Sequence, residues 1–254
     1  MKLRILGCGT SSGVPRIGND WGDCDPTNVR NRRSRASIIV ESARTRLLVD
    51  TSPDMRQQLL DADLSHVDAI LWTHDHADHC HGIDDVRQLF HARGTAVPGY
   101  GFAETMAQLE TRFGYAFFGR DGYPPTIETN ALIPDMIIGD VRVRTVMQPH
   151  GSIFSAGFRF DHGIASIGYS TDFHMVTDDM IDLFLDVDIW VIDALRERPH
   201  PTHTHLAQSL DAIERARPKR AILTHMDQSM DYARLVESMP AGVEPGYDGQ
   251  EIEL

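Results

Sequence analysis

Short apolar runs separated by polar turns occur in two groups along the chain. "KLRIL", "ASIIVE", "TRLLVD" and "DAILWT" form the first; "DMIIGDVRVRTV", "AGFRFDH", "SIGYST" and "DIWVID" form the second. Alternation in "VRVRTV" predicts a half-exposed strand, whereas "AILW" and "IWVI" are continuous runs of the kind buried on both faces. Elsewhere the apolar spacing changes to three, four or seven, at Met55 and Leu59, at Met106 and Leu109, and at Leu206, Leu210 and Ile213. That is the period of a helix with one face on a core. It predicts helices over about Pro53–Ala62, Ile83–Phe90, Ala103–Phe113, Thr177–Phe184, His205–Ala216 and Tyr232–Glu237. Strands then helices, twice over, predict two similar halves in an α/β chain with sheets inside and helices outside. No repeat, low-complexity tract or linker divides it, so residues 1–254 are expected to form one domain.

Composition narrows the function. A chain of 254 residues buries roughly three-quarters of its unfolded surface and needs no stapling. Its net charge of -13 argues against nucleic acid or an anionic membrane as partner, since both call for a basic face. An anionic substrate held by bound cations stays possible, because a metal ion inverts the local electrostatics. Cys8, Cys24 and Cys80 are far apart and form no CxxC pair, which fits a reducing cytoplasm better than a disulfide framework. "MKLRILGCGT" breaks into glycine too early for a signal-peptide core. No stretch approaches the roughly 20 apolar residues of a membrane span.

The chemistry concentrates in "LWTHDHADHCHGID" (Leu71 to Asp84), which holds four of the 13 histidines. His74, His76, Asp78 and His79 follow the strand-like "AILWT", so they are expected on a loop at the strand's C-terminal edge. Neutral imidazoles and carboxylates are ligands for zinc, manganese and iron. Four such groups within six residues exceed what one tetrahedral site with an open position takes from one loop, and so point to two metal ions. A solvated loop or a metal-free histidine cluster is the bland alternative. Three further candidates follow apolar runs: His150 after "VRVRTVMQP", Asp172 after "SIGYST" and His225 after "AILT". One sheet edge is therefore expected to collect seven ligands.

"THDHADH", with the later His, Asp and His, resembles the HxHxDH signature of the metallo-β-lactamase superfamily over nearly the whole chain. The resemblance implies an αββα sandwich, two mixed sheets flanked by helices, with a binuclear site at one sheet edge. It implies that His74, His76 and His150 hold one metal, that Asp78, His79 and His225 hold the other, and that Asp172 bridges them. Asp172 stands where many true β-lactamases place cysteine. Ala77 stands where the redox di-iron branch would carry glutamate, which favours hydrolysis. "LGCGTSSGVP", "RNRRSR", "LTHMDQSMDY" and "GVEPGYDGQEIEL" resemble the phosphodiesterase branch: phosphoribosyl cyclic phosphodiesterases first, ribonuclease Z more distantly. In the first group a cysteine cluster holds a structural zinc. The matching positions here are Asp23, Asp25 and Asn28, with Cys24 displaced by one, which implies that this zinc is absent. In "RPHPTHTHL" the resemblance places a leaving-group histidine at His203, with His200 and His205 as competitors.

Smaller signals remain open between two readings each. "GCGTSSG" is either a phosphate cradle or a tight turn at the sheet edge. Arg30, Arg32, Arg33 and Arg35 either clamp a substrate phosphate or pair with carboxylates on an exposed loop. His81 and Asp84 are expected to orient the ligands from behind, and His66, His91, His162 and His174 to be structural. The expected activity is a two-metal (manganese or zinc, with iron possible) phosphodiesterase acting on a small, cyclic diester, with Asp78 and His203 catalytic. Alternatives are a ribonuclease Z-like enzyme, which lacks a visible basic arm here, a thioesterase or lactonase of the same fold, and a non-enzymatic metal-binding protein. A homodimer is a further expectation.

Overall fold

The first set of apolar runs becomes β1 (Lys2–Gly7), β2 (Ser37–Glu41), β3 (Arg46–Val49) and β4 (Ala69–Leu71) in the computed structural model, which describes residues 1–254. With β5 (Val97–Gly101), β6 (Ile127–Ala131) and β14 (Glu251–Glu253) they form a seven-stranded sheet ordered β14-β1-β2-β3-β4-β5-β6. The second sheet comprises β7 (Asp135–Ile138), β8 (Val141–His150), β9 (Ile153–His162), β10 (Ala165–Ser170), β11 (Ile189–Asp193), β12 (Arg220–Thr224) and β13 (Val243–Pro245). Its order is β13-β12-β11-β10-β9-β8-β7. Both sheets mix parallel and antiparallel pairs.

Side-chain alternation decides what each strand packs against. In the first sheet Leu3, Ile5, Ile38, Val40, Leu47, Val49, Ala69 and Leu71 face the core shared with the second sheet. Leu6, Ile39, Leu48 and Ile70, on the other face, pack under helices. Apolar residues are needed on both faces, which is why the runs read as continuous. Helices α1 (Met55–Asp61), α3 (Val86–Arg93), α4 (Ala103–Arg112) and α5 (Gly114–Phe118) cover the first sheet. Helices α6 (Asp178–Phe184), α7 (Leu206–Ala216) and α8 (Tyr232–Ser238) cover the second. Each buried aliphatic or aromatic side chain contributes about 1.5–3 kcal/mol. No helix is long and apolar enough to cross a membrane.

Three departures from the sequence reading have physical causes. The helix expected at Ile83–Phe90 is a 3-10 turn, Ile83–Asp85, leading into α3, which Gly94 ends at φ 77°. The helix expected at Ala103–Phe113 breaks at Phe113 and resumes as α5. Strands β5 and β6 carry no apolar run: β5 reads VPGYG and β6 reads IETNA. Gly99 in β5 is required by packing, since a Cβ there would lie 2.6 Å from the Trp72 ring.

Strand direction places the site. Strands β10, β11 and β12 run parallel, and β8 reaches the same direction through the antiparallel β9. Strands β3 and β4 are likewise parallel. The C-terminal ends of β8, β10, β11 and β12 therefore share one edge, where they meet those of β3 and β4.

Candidate metal centre

His74 lies three residues beyond β4, and His76 caps a short helix, α2 (Ala77–Cys80), that carries Asp78 and His79. The expected loop thus contains one helical turn. His150 ends β8, Asp172 lies two residues beyond β10, and His225 lies one beyond β12. All seven candidate ligands converge, in the groupings His74–His76–His150–Asp172 and Asp78–His79–His225. All but His76 are buried.

Asp172 joins the two groups. Its Oδ1 lies 3.6 Å from His150 Nε2 and 3.9 Å from His74 Nε2. Its Oδ2 lies 3.1 Å from His79 Nε2 and 3.6 Å from His225 Nε2. Asp78 Oδ2 is 3.3 Å from His79 Nε2 and 3.4 Å from His225 Nε2, and His76 Nδ1 is 3.2 Å from His150 Nε2. Ligand atoms around a four-coordinate ion with bonds of about 2.1 Å stand roughly 3.4 Å apart. The spacing is that of ligand sets, and the nitrogens facing inward have no other employment: His74 Nε2 and His79 Nε2 are buried without a hydrogen-bond partner.

On His74, His79 and His150 the opposite nitrogen is occupied, which fixes the tautomer, whereas His225 Nδ1 is buried without a partner. His79 Nδ1–H donates to Asp50 Oδ2 at 2.7 Å. Thr73 Oγ1 donates to Asp50 Oδ2 at 2.9 Å and takes His74 Nδ1–H at 3.0 Å. His150 Nδ1–H donates to the Thr202 carbonyl at 2.8 Å. Asp50, at the end of β3, thus holds two imidazoles, a role that the aspartate closing "TRLLVD" could have signalled. His81 and Asp84, expected to do this, are exposed instead: His81 packs edge-on against Phe113 and Asp84 accepts from Tyr115.

Electrostatics suit cations. Burial pushes His74 and His150 below the usual histidine range, keeping them in the neutral form that ligates. His79 and His225 are also buried, but nearby carboxylates outweigh burial and raise them, His225 to about 9. Asp78 and Asp172 are driven down despite burial, because the imidazoles around them favour their charged form. Asp50, Asp172 and His225 hold left-handed backbone, at φ 65°, 59° and 58°. Non-glycine residues are uncommon there, and such strain gathers at functional sites.

His203 stands beside these groups, its Nδ1 3.2 Å from Asp193 Oδ2 and 3.6 Å from Asp172 Oδ1. Asp193, the fully buried last residue of β11, also accepts from the Asp172 backbone N–H at 2.9 Å. The sequence reading passes over it, although it closes the apolar run "DIWVID". A cavity of about 260 Å³ opens here, walled by Ser11, His76, Asp78, His150, Asp172 and His203 among others. His200 and His205 are not on its wall: the ring of His200 is tilted against that of His203 at 5.1 Å, and His205 caps α7.

The four arginines are not on this wall either. Arg30 lies between the rings of Tyr232 and Tyr247, at 4.9 and 4.6 Å. Around Cys24 the side chains turn to separate partners rather than to one another. Cys24 is buried 3.9 Å from Arg33 Nη1, Asp25 accepts from Thr27, and Asn28 caps Arg30 N–H. "GCGTSSG" forms a turn, closed by Gly13 N–H on the Thr10 carbonyl at 2.8 Å.

The family described as the beta-lactamase superfamily domain matches residues 45–226. The chain belongs to the metallo-β-lactamase superfamily. It has that superfamily's two mixed sheets flanked by helices. It resembles the crystal structure of a new diphosphatase from the PhnP family at 34% identity and TM-score 0.90, covering 99% of this chain and 96% of that one. Zinc-bound PqqB from Methylobacterium extorquens shares the superfamily fold, at 18% identity and TM-score 0.80 with both chains covered completely. So does the short form of human tRNase Z, at 18% identity and TM-score 0.70, covering 100% and 99% of the two chains. The two likenesses at 18% identity show the fold alone. An octanoyltransferase of Porphyromonas gingivalis is 31% identical over 99% of this chain, which spans about half (51%) of that relative's length.

Proposed function

We propose that this metallo-β-lactamase superfamily hydrolase cleaves a small phosphodiester, with a cyclic diester such as phosphoribosyl 1,2-cyclic phosphate as the substrate class. The observation that carries the reading is Asp172, whose two oxygens address two sets of imidazoles with His203 beside them. His74, His76 and His150 would hold one divalent ion, Asp78, His79 and His225 the other, and Asp172 both. Manganese, zinc and iron all suit these ligands. Two such ions supply Lewis acidity, which acidifies water toward neutral pH and neutralises the non-bridging phosphate oxygens.

The chain's own groups do the rest. Asp78, on the cavity wall, accepts a hydrogen bond from the attacking water and sets its line of approach. Asp193 accepts the Nδ1–H of His203, and as the imidazolium cation His203 gives its Nε2 proton to the departing sugar oxygen. The cavity suits a compact substrate. Its walls are serine, histidine, aspartate, glycine and threonine, with Ile153 as the one large apolar side chain. Those polar walls give an eight-carbon acyl chain little apolar surface to bury against. The octanoyltransferase activity belongs to a relative twice this length. Three unpaired cysteines fit a cytoplasmic setting.

A second reading, cleavage of a diphosphate linkage, is favoured by the 34% identical diphosphatase. Both bonds require attack at phosphorus, but a phosphate leaving group needs less protonation than an alkoxide, so His203 matters less to it. Phosphorus NMR of manganese-loaded protein with phosphoribosyl 1,2-cyclic phosphate, a 2′,3′-cyclic nucleotide and ADP-ribose tests both. Opening of the first alone is the expected result. Cleavage of ADP-ribose alone would select the second reading, and cleavage of none with metal bound would sink both.

A further inference from the structure

A second cavity lies on the far side of the turn that borders the metal centre. The tip residues of the Thr10–Gly13 turn part company: Ser11 lines the metal cavity, while Ser12 lines the other. The turn is fastened on both flanks. Thr10 N–H donates to the Met226 carbonyl at 3.2 Å, one residue beyond His225. On the other flank Gly9 N–H donates to the Ser34 carbonyl at 2.7 Å, and Val14 and Arg33 exchange both backbone bonds at 2.8 Å.

This cavity measures about 490 Å³, and its walls are mostly polar, with Arg32, Arg35 and Gln58 among them. Its carboxylates are already committed. Asp248 accepts from Ser34 N–H and Oγ–H, each at 2.6 Å, and from Cys8 N–H at 3.0 Å. Glu251 pairs with Lys2 at 2.5 Å and Arg4 at 2.9 Å, and Asp61 accepts from Gln57 at 2.7 Å. Asp54 accepts the Arg35 backbone N–H at 2.9 Å.

Arg4 is paired with Glu251 and Glu41, at 2.9 and 3.5 Å, but two other guanidinium groups keep donors in reserve. Arg35 is ion-paired to Asp54 through Nε alone, at 3.0 Å and without an aligned hydrogen bond. A Cβ on Gly13 would lie 3.7 Å from Arg35 Nη1, so the turn passes directly over this group. Arg32 lies on the face of Trp21 at 5.2 Å rather than on a carboxylate. Arg33, also on the wall and almost wholly buried, is held by the carbonyls of Met230 and Asp227, at 2.6 and 3.3 Å. Of the four arginines on these walls, Arg32 has no carboxylate partner and Arg35 shares its one carboxylate with its own backbone N–H.

We infer that this cavity is a second anion site, built for a small phosphate monoester, with Arg35 and Arg32 as its arms and the Ser12 hydroxyl as a third donor. A guanidinium presents a planar fork that matches two phosphate oxygens. The remaining volume and polar walls suit a short hydroxylated organic group.

Equilibrium dialysis of the metal-loaded protein against inorganic phosphate tests the site without requiring turnover. The wild-type chain should bind one more phosphate than the R32M/R35M double variant, at unchanged metal content. Ser12→Glu, which leaves both arginines in place and puts a carboxylate over them, should lose the same phosphate. It decides the matter if the double variant fails to fold. The same number bound by the wild type and by the folded variants would overturn the proposal. Failure of the proposed hydrolysis would leave this count untouched.

Discussion

Removing the His203 imidazole takes away a proton donor without touching any of the seven candidate ligands. His203→Ala is expected to lower turnover roughly 10²–10³-fold while the metal content, read by elemental analysis, stays at the wild-type value. Equal loss of metal would contradict the role. Asp172→Ala should behave in the opposite way, because both of its oxygens face ligand sets; full retention of metal would sink its bridging assignment. At this scale the seven candidate ligands are legible because His and Asp sit at unusual density and at strand ends. Asp50, Thr73 and Asp193 are not, since one aspartate after an apolar run reads like any turn residue. Their importance is a matter of direction: Asp50 points to His79 and, through Thr73, to His74. The reading of His81 and Asp84 fails for the same reason, because closeness in sequence does not set which way a side chain points.

Helix α2 owes its position to a close backbone approach. Gly82 N–H donates to the Thr51 carbonyl at 2.9 Å, and a Cβ on Gly82 would lie 2.0 Å from the Ser52 carbonyl oxygen. Backbone cannot yield as a side chain does, so Gly82→Ala must displace the element that carries Asp78 and His79. A loss of about 2–3 kcal/mol in urea unfolding is expected, together with a metal affinity roughly tenfold weaker. Gly114→Ala is the control, since its nearest neighbour would be 3.6 Å away at the Phe118 ring. Unchanged metal affinity in Gly82→Ala would show that α2 is not held there. Elements with periodic apolar faces are legible in the sequence, as at α1, α6 and α7. Helix α2 is too short to show a period, and β5 and β6 are specified by neighbours such as Trp72 rather than by their own residues.

Across the whole molecule, the closing segment is tied to the opening one by a buried carboxyl. Asp248 is pushed up to about 6 by burial, against the pull of its bonds from Ser34 and Cys8. An unfolded aspartate titrates near 3.9, so the fold binds this proton more tightly than the unfolded chain does. Its stabilising contribution is full below pH of about 4 and is lost as pH rises through 6, a change on the order of 3 kcal/mol. Between these values Asp248→Asn should therefore lack a downward slope in unfolding free energy that the wild type has. Parallel curves from urea titrations of the two proteins would refute this. The same global stability bears on the left-handed backbone at Asp50, Asp172 and His225, where glycine would relieve strain of order 1 kcal/mol each. A library of variants selected only for heat resistance should then drift toward glycine at these three positions and go silent as an enzyme. At these three positions, unlike the exposed turns at Asp63 and Asp186, the residue that strains the backbone is the one the proposed chemistry needs.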